Sequence, residues 1–250
     1  MQQSTHRPFL LRAVFLLTRF HQEPVISSLL QKSLLMDSDT VELWRSLGRS
    51  ILGIQILRCL VEKLNRAGND RLGTDSSPCE QHSCQTALET LTITRAISEV
   101  VFALRSTEEL RRLLPHLLPS LLRWASEMLG GERQLLLMTS WKQLHVEKPC
   151  RIFLSAIKLV LGKCMAQKWT QLLEIWGVWA RLEVPVAHPE GVRLLTSVLL
   201  NAGVVSPCLV KNLLPWLNSC SVQLRMTATA FFAEISRDRR TTGTSERGRH

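Results

Sequence analysis

The chain has 250 residues, 45% of them hydrophobic, with a formal net charge of +10. That length and apolar share support a sizeable buried core and exclude an intrinsically disordered chain. Tyrosine is absent and leucine dominates, a balance that favours helices over strands built from β-branched and aromatic residues.

Apolar residues recur at helical spacing along almost the whole chain. Phe9, Ala13, Leu16, Leu17 and Phe20 share one face of a first helix with Arg12 and Arg19 opposite, and His21 to Pro24 closes it. Val25 to Gln31 gives a short second helix. Asp39 with Glu42 reads as a capping box opening a helix through Val41, Leu43, Trp44 and Leu47, which stops near Gly48. Ser50 caps a longer helix striped by Ile54, Leu57, Val61 and Leu64, with Arg58, Glu62 and Arg66 in i,i+4 register on its wet side. From Arg66 to Ser83 the pattern fails, and the polar stretch RAGNDRLGTDSSPCEQHS reads as a flexible loop.

Helix resumes with Leu88, Leu91, Ile93, Ile97, Val100 and Leu104. Thr107, Glu108 and Glu109 open the next, where acids suit the dipole. Pro115 and Pro119 predict a kink or a restart within it, and Gly130-Gly131 its end. A further helix is expected over Gln134 to Leu144. Pro149 begins another, with Phe153, Ala156, Ile157, Val160 and Cys164 inward, followed by Trp169, Leu172, Leu173, Trp176 and Trp179 on one face. After a loop at Val184 to Pro189 come a helix at Val192 to Leu200 and a final pair, Pro207 to Leu217 and Val222 to Ile235.

That makes about ten helices on short connections with no strand, so neighbours pair antiparallel. A pair buries only one side of itself, and successive pairs must stack. The expected fold class is all-α, an α–α superhelix of the HEAT or armadillo kind. The expected organisation is an N-terminal extension at 1–7, a helical-repeat domain at 8–236 with a flexible loop at about 66–83, and a disordered basic tail at 237–250. That tail holds five arginines against Asp238 and Glu246.

The last pair, VKNLLPWLNSCSVQLRMTATAFFAEI, resembles a HEAT repeat: a proline-bearing first helix, a turn, then Arg225, small residues Ala228 and Ala230, and aromatics. The turn holds Asn218 and Ser219 where such repeats often carry an acid. Longer blocks are similar to the maestro heat-like repeat family. They are HRPFLLRAVFLLTRFHQEPVISSLLQKSLLMDSDTVELWRSLG, TRAISEVVFALRSTEELRRLLPHLLPSLL, WARLEVPVAHPEGVRLL and LRMTATAFFAEI. Pro24, Asp37-Ser38-Asp39-Thr40, Trp44, Gly191 and Phe231-Phe232 carry the likeness most specifically. The resemblance covers most of residues 6 to 236 and implies an α–α superhelix with no catalytic residues or cofactor. The chain departs from the family around Thr74 to Gln85, and after Ile235, where a polar basic tail stands in place of further helix.

Several motifs carry possible chemistry. Asp37-Ser-Asp39-Thr40-Val41 matches the DxDx[T/V] pattern of haloacid-dehalogenase-like phosphotransferases, but that chemistry needs a buried strand in an α/β sheet, and a helix cap is the simpler reading. Cys79, His82 and Cys84 are spaced as metal ligands, yet a closed zinc site needs four. Trp169, Trp176 and Trp179 can stack bases or fill a core. Gly48 and Gly53 have P-loop spacing but are followed by Ile54 and Gln55 in place of Lys and Ser/Thr. No catalytic, cofactor-binding or metal residues are assigned.

The longest uncharged run, Leu194 to Val210, includes Asn201, Gly203, Ser206 and Pro207 and does not read as a membrane span. The N-terminus carries Arg7, Arg12 and Arg19 without an acid, as an import presequence does, but continues without a break into the next helix. Seven cysteines, an odd number, and no Asn-x-Ser/Thr sequon point to a reducing compartment. The reading is a non-enzymatic cytoplasmic scaffold that binds a protein partner. The alternative is a nuclear, nucleic-acid-associated protein using its basic surface.

Overall fold

The computed structural model describes residues 7–31, 36–69, 80–129 and 148–246, with side chains described over 9–31, 36–67, 85–129 and 148–238. Among the described residues the chain forms twelve α-helices, one 3-10 segment and no strand. It divides into two compact units, residues 1–113 and 114–250.

The first unit contains α1 (Arg7–Phe20), α2 (Gln22–Gln31), α3 (Ser38–Arg49), α4 (Gly53–Asn69) and α5 (Glu80–Ala103). Its core is aliphatic around one indole. Trp44, Ile26, Ile56, Leu57, Leu60, Leu64, Leu91 and Ile97 are all fully buried. α3 and α5 cross in backbone contact because Gly48 sits at the crossing, where a Cβ would lie 2.6 Å from the Val100 carbonyl oxygen. Beside that crossing, Arg45 Nε donates to Glu99 Oε2 at 2.6 Å, and the Arg45 guanidinium lies 4.9 Å from the Phe102 ring centroid. Across α2 and α4, Lys63 Nζ donates to Glu23 Oε1 at 2.9 Å and to Ser27 Oγ at 3.1 Å.

The start of α3 differs from the expected capping box. Asp37, not Asp39, is the N-cap: its Oδ1 accepts from the Thr40 amide at 2.7 Å. Asp39 stands in the first turn, where a carboxylate still favours the dipole. Ser50 closes α3, with its hydroxyl donating to the Leu47 carbonyl at 2.6 Å, and also accepts from the Leu52 amide at the entry to α4. α4 runs through Asn69 and α5 begins at Glu80, so both ends of the expected loop are helical. Residues 70–79 lie outside the described residues, as does the helix expected over Gln134 to Leu144.

The face expected to bury α1 is the one that faces out. Phe9, Leu10, Leu16, Leu17 and Phe20 are exposed, and α1 packs through Leu11, Val14, Phe15 and the fully covered Thr18 on its other side. Periodicity identified the helix correctly, but α1 has apolar residues on two opposed faces and sequence could not say which one meets the body.

α6 (Thr107–Glu127) is one unbroken helix despite Pro115 and Pro119. Pro119 has no amide to give the carbonyl four residues back, and that carbonyl, on Pro115, instead accepts from Asn212 Nδ2 at 2.8 Å. The remaining elements of the second unit are α7 (Pro149–Cys164), α8 (Gln167–Ile175), α9 (Val178–Leu182), α10 (His188–Asn201), α11 (Pro207–Leu213), the 3-10 segment Leu214–Asn218 and α12 (Val222–Glu246). α7 buries Phe153, Ala156, Ile157, Val160 and Cys164 as expected, with Phe153 stacked on Trp124 at 6.5 Å between centroids. The switch from α to 3-10 geometry follows from Pro215, which cannot donate to the Lys211 carbonyl. α12 continues to Glu246, past Arg237 where a tail was expected to start.

Candidate interaction surface

An apolar opening in the second unit runs between α10 and α12. Val222, Met226, Ala230 and Ala233 recur along α12 at i, i+4, i+8 and i+11, which places them on one stripe. Pro189 of α10 closes the far side, and the cleft holds about 460 Å³. Val222 and Met226 are exposed large apolar side chains, whereas Ala230 and Ala233 let a bound chain come close to the helix backbone. A second hollow of about 560 Å³ continues from Arg193 and Glu234 towards Ile175 and Trp176.

The rim is cationic. Arg193 holds both nearby carboxylates, with Nη1 at 3.1 Å from Glu190 Oε2 and Nε at 3.7 Å from Glu234 Oε2. Arg225 and Arg237 also line the trough. Arg225 donates to the carbonyls of Ser219 at 2.7 Å and Cys220 at 2.9 Å, so it fixes the turn before α12 without the acid that HEAT repeats often place there. Arg181 likewise donates to the Trp176 and Gly177 carbonyls. Positive charge therefore remains along the edges of an apolar floor.

The floor is held by a buried polar lock. His188 of α10, Ser126 of α6 and Thr227 of α12 are fully buried. His188 Nδ1 lies 3.0 Å from the Leu182 carbonyl oxygen, which can only accept, so Nδ1 carries the proton and Nε2 is the acceptor. Nε2 lies 3.0 Å from Ser126 Oγ and 3.2 Å from Thr227 Oγ1. Thr227 Oγ1 lies 3.0 Å from Ser126 Oγ, and each hydroxyl also reaches a carbonyl one turn back, Ser126 that of Leu122 and Thr227 that of Gln223, both at 2.8 Å. Burial pushes the imidazole below its ordinary pKa, against a smaller opposing effect of the Leu182 bond, and keeps it neutral. A Ser–His pair invites a hydrolase reading, but Nδ1 faces a carbonyl where a triad needs a carboxylate, and all three side chains are sealed from substrate. The group joins α6, α9, α10 and α12 and does structural work.

The other sequence candidates disperse. Asp37 is a helix cap. Gly48 is a helix-crossing contact. The three tryptophans do not share a face: Gly177, at φ 60°, breaks the helix between Trp176 and Trp179. Trp169 packs under Lys168 at 4.7 Å, Trp179 Nε1 donates to Glu174 at 3.0 Å, and Trp176 is 37% exposed at the edge of the second hollow. Of the Cys79, His82 and Cys84 cluster, Cys79 and the other two side chains lie outside the described residues. No group of three or more metal-ligating side chains occurs among the described residues. Burial pushes the Cys150 thiol up to about 12, as suits a core residue.

Sequence reading missed the trough and the lock. The lock joins residues far apart in the chain, and the floor residues Ala230 and Ala233 read as ordinary packing positions. Only Arg225 and the Ala-rich second helix were signalled.

Comparison with known proteins fits the repeat architecture. The family model for Maestro, HEAT repeats, matches residues 1–65. Maestro heat-like repeat-containing protein family member 1 from Bos taurus is 31% identical over 93% of this chain, and its Mus musculus counterpart 30% identical over 89%. Maestro heat-like repeat family member 5 from Homo sapiens is 28% identical over 87%. The chain spans 15%, 14% and 17% of the lengths of these three relatives. No solved structure matches.

Proposed function

We propose that this chain, which belongs to the maestro heat-like repeat family, is a non-enzymatic scaffold that holds a protein partner along the trough between α10 and α12. The observation that carries this reading is the trough itself, an apolar floor edged by arginines between two helices. Met and Arg are enriched at protein interfaces, and small floor residues allow a partner backbone to approach. The nucleic-acid alternative gains less at this surface, whose floor is apolar and whose arginines alternate with Glu190 and Glu234. A cytoplasmic location suits the free thiols of Cys59, Cys150, Cys208 and Cys220.

The test is affinity enrichment from cell extract with the full chain and with Met226→Glu/Ala233→Glu. Both side chains are exposed, so the fold tolerates the change. The reproducible partners of the parent chain drop out with the variant while its circular dichroism stays the same. An unchanged set of partners, or none for the parent, refutes the reading.

A further inference from the structure

We infer that the outward face of α1 is a second, independent docking surface, and that it seats on an anionic lipid bilayer. Six residues, Phe9, Leu10, Ala13, Leu16, Leu17 and Phe20, all exposed, cover about 120° of arc at 100° per residue. No polar side chain interrupts them, and Phe9 and Phe20, 72% and 73% exposed, stand near the two ends. The opposite face of α1 is already occupied by its own unit, so the stripe is an outward ridge held in place by Leu11, Val14, Phe15 and Thr18.

Charge decides among the possible occupants. At 100° per residue Arg12 and Arg19 run along one border of the ridge and not opposite it as expected, and from Phe9 to Gln22 there is no carboxylate. The first acid, Glu23, is held by Lys63 at 2.9 Å and Arg66 at 3.6 Å, and that pairing keeps its carboxyl below the ordinary value. A second copy of the chain would bring arginine against arginine. A bilayer with acidic headgroups instead supplies both things the ridge lacks, an apolar medium for the phenylalanines and negative charge for the arginines. A single convex ridge also suits a fluid interface, which needs no matching groove. Among the described residues no helix is long and apolar enough to cross a membrane, so the contact is peripheral, one helix lying flat.

The experiment is vesicle co-sedimentation of the full chain with phosphatidylcholine alone and with phosphatidylcholine/phosphatidylserine mixtures. Binding requires phosphatidylserine and weakens with added salt. Phe9→Ser/Phe20→Ser abolishes it while leaving circular dichroism and melting unchanged, since neither ring is in the core. Arg12→Gln/Arg19→Gln weakens it about fivefold per arginine. Failure to sediment with the mixed vesicles overturns the inference, as does binding that survives Phe9→Ser/Phe20→Ser, which would mark diffuse attraction to a basic protein. Self-association that Phe9→Ser/Phe20→Ser abolishes and salt strengthens would assign the ridge to a second copy, and also overturns it. None of these results bears on the α10–α12 trough, which Met226→Glu/Ala233→Glu tests separately.

Discussion

Replacing His188 by Gln gives a protein whose stability depends less on pH between 7 and 5.5, although it is less stable at pH 8. In the folded chain the imidazole is fully buried and neutral, donating from Nδ1 to the Leu182 carbonyl, with the Ser126 and Thr227 hydroxyls beside Nε2. Burial holds its folded pKa below the unfolded value of 6.5. Above pH 6.5 both states are neutral and the lock contributes fully. As the pH falls through 6.5 the unfolded chain takes up a proton that the folded chain refuses, and stability drops until the folded pKa is reached. The slope approaches about 1.4 kcal/mol per pH unit while only the unfolded histidine titrates. Urea unfolding followed by circular dichroism at half-unit steps measures both proteins, and subtracting the curves removes every group they share. The parent loses up to about 1 kcal/mol more than His188→Gln on going from pH 6.5 to 5.5. Parallel curves would mean that His188 titrates alike in both states, and the account of the lock would be wrong.

Three further substitutions test the packing. Gly48→Ala puts a methyl 2.6 Å from the Val100 carbonyl oxygen and forces α3 off α5, costing about 1–3 kcal/mol in a urea melt; no loss would mean that the two backbones are not in contact. Asn212→Ala strands the Pro115 carbonyl and costs about 1–3 kcal/mol. The same change costs clearly less in a Pro119→Ala background, where the restored amide reaches that carbonyl, and equal costs in the two backgrounds would disprove the compensation. Asp37→Ala removes the N-cap of α3 and lowers stability by about 1 kcal/mol. Asp39→Ala costs less, and the reverse order would restore the capping box first read from the sequence.

Much of the fold was legible because helical periodicity reports which residues share a face. α7 is the clearest case: a proline at its start and five apolar positions in register, all buried. What periodicity omits is which face meets the body and what lies beyond. α1 therefore came out reversed, since both of its faces are apolar. α6 does not restart at its prolines, and the bond missing at Pro119 is replaced from Asn212, far away in sequence. The tryptophan stripe failed at one residue, Gly177, whose left-handed backbone resets the phase. The capping box slipped by two residues because Asp37 and Asp39 offer the same chemistry and only geometry separates them. The candidate surface was least legible of all. The small residues of its floor, Ala230 and Ala233, look like packing, and its two walls lie on helices separated by a turn and a further pair.

Hydrogen–deuterium exchange of the full chain, alone and saturated with a captured partner, tests the central claim most directly. Partner binding along the trough protects residues 188–201 and 222–238 and leaves α3 to α5 unchanged. Protection confined to other helices, with α10 and α12 exchanging as in the free chain, would contradict it.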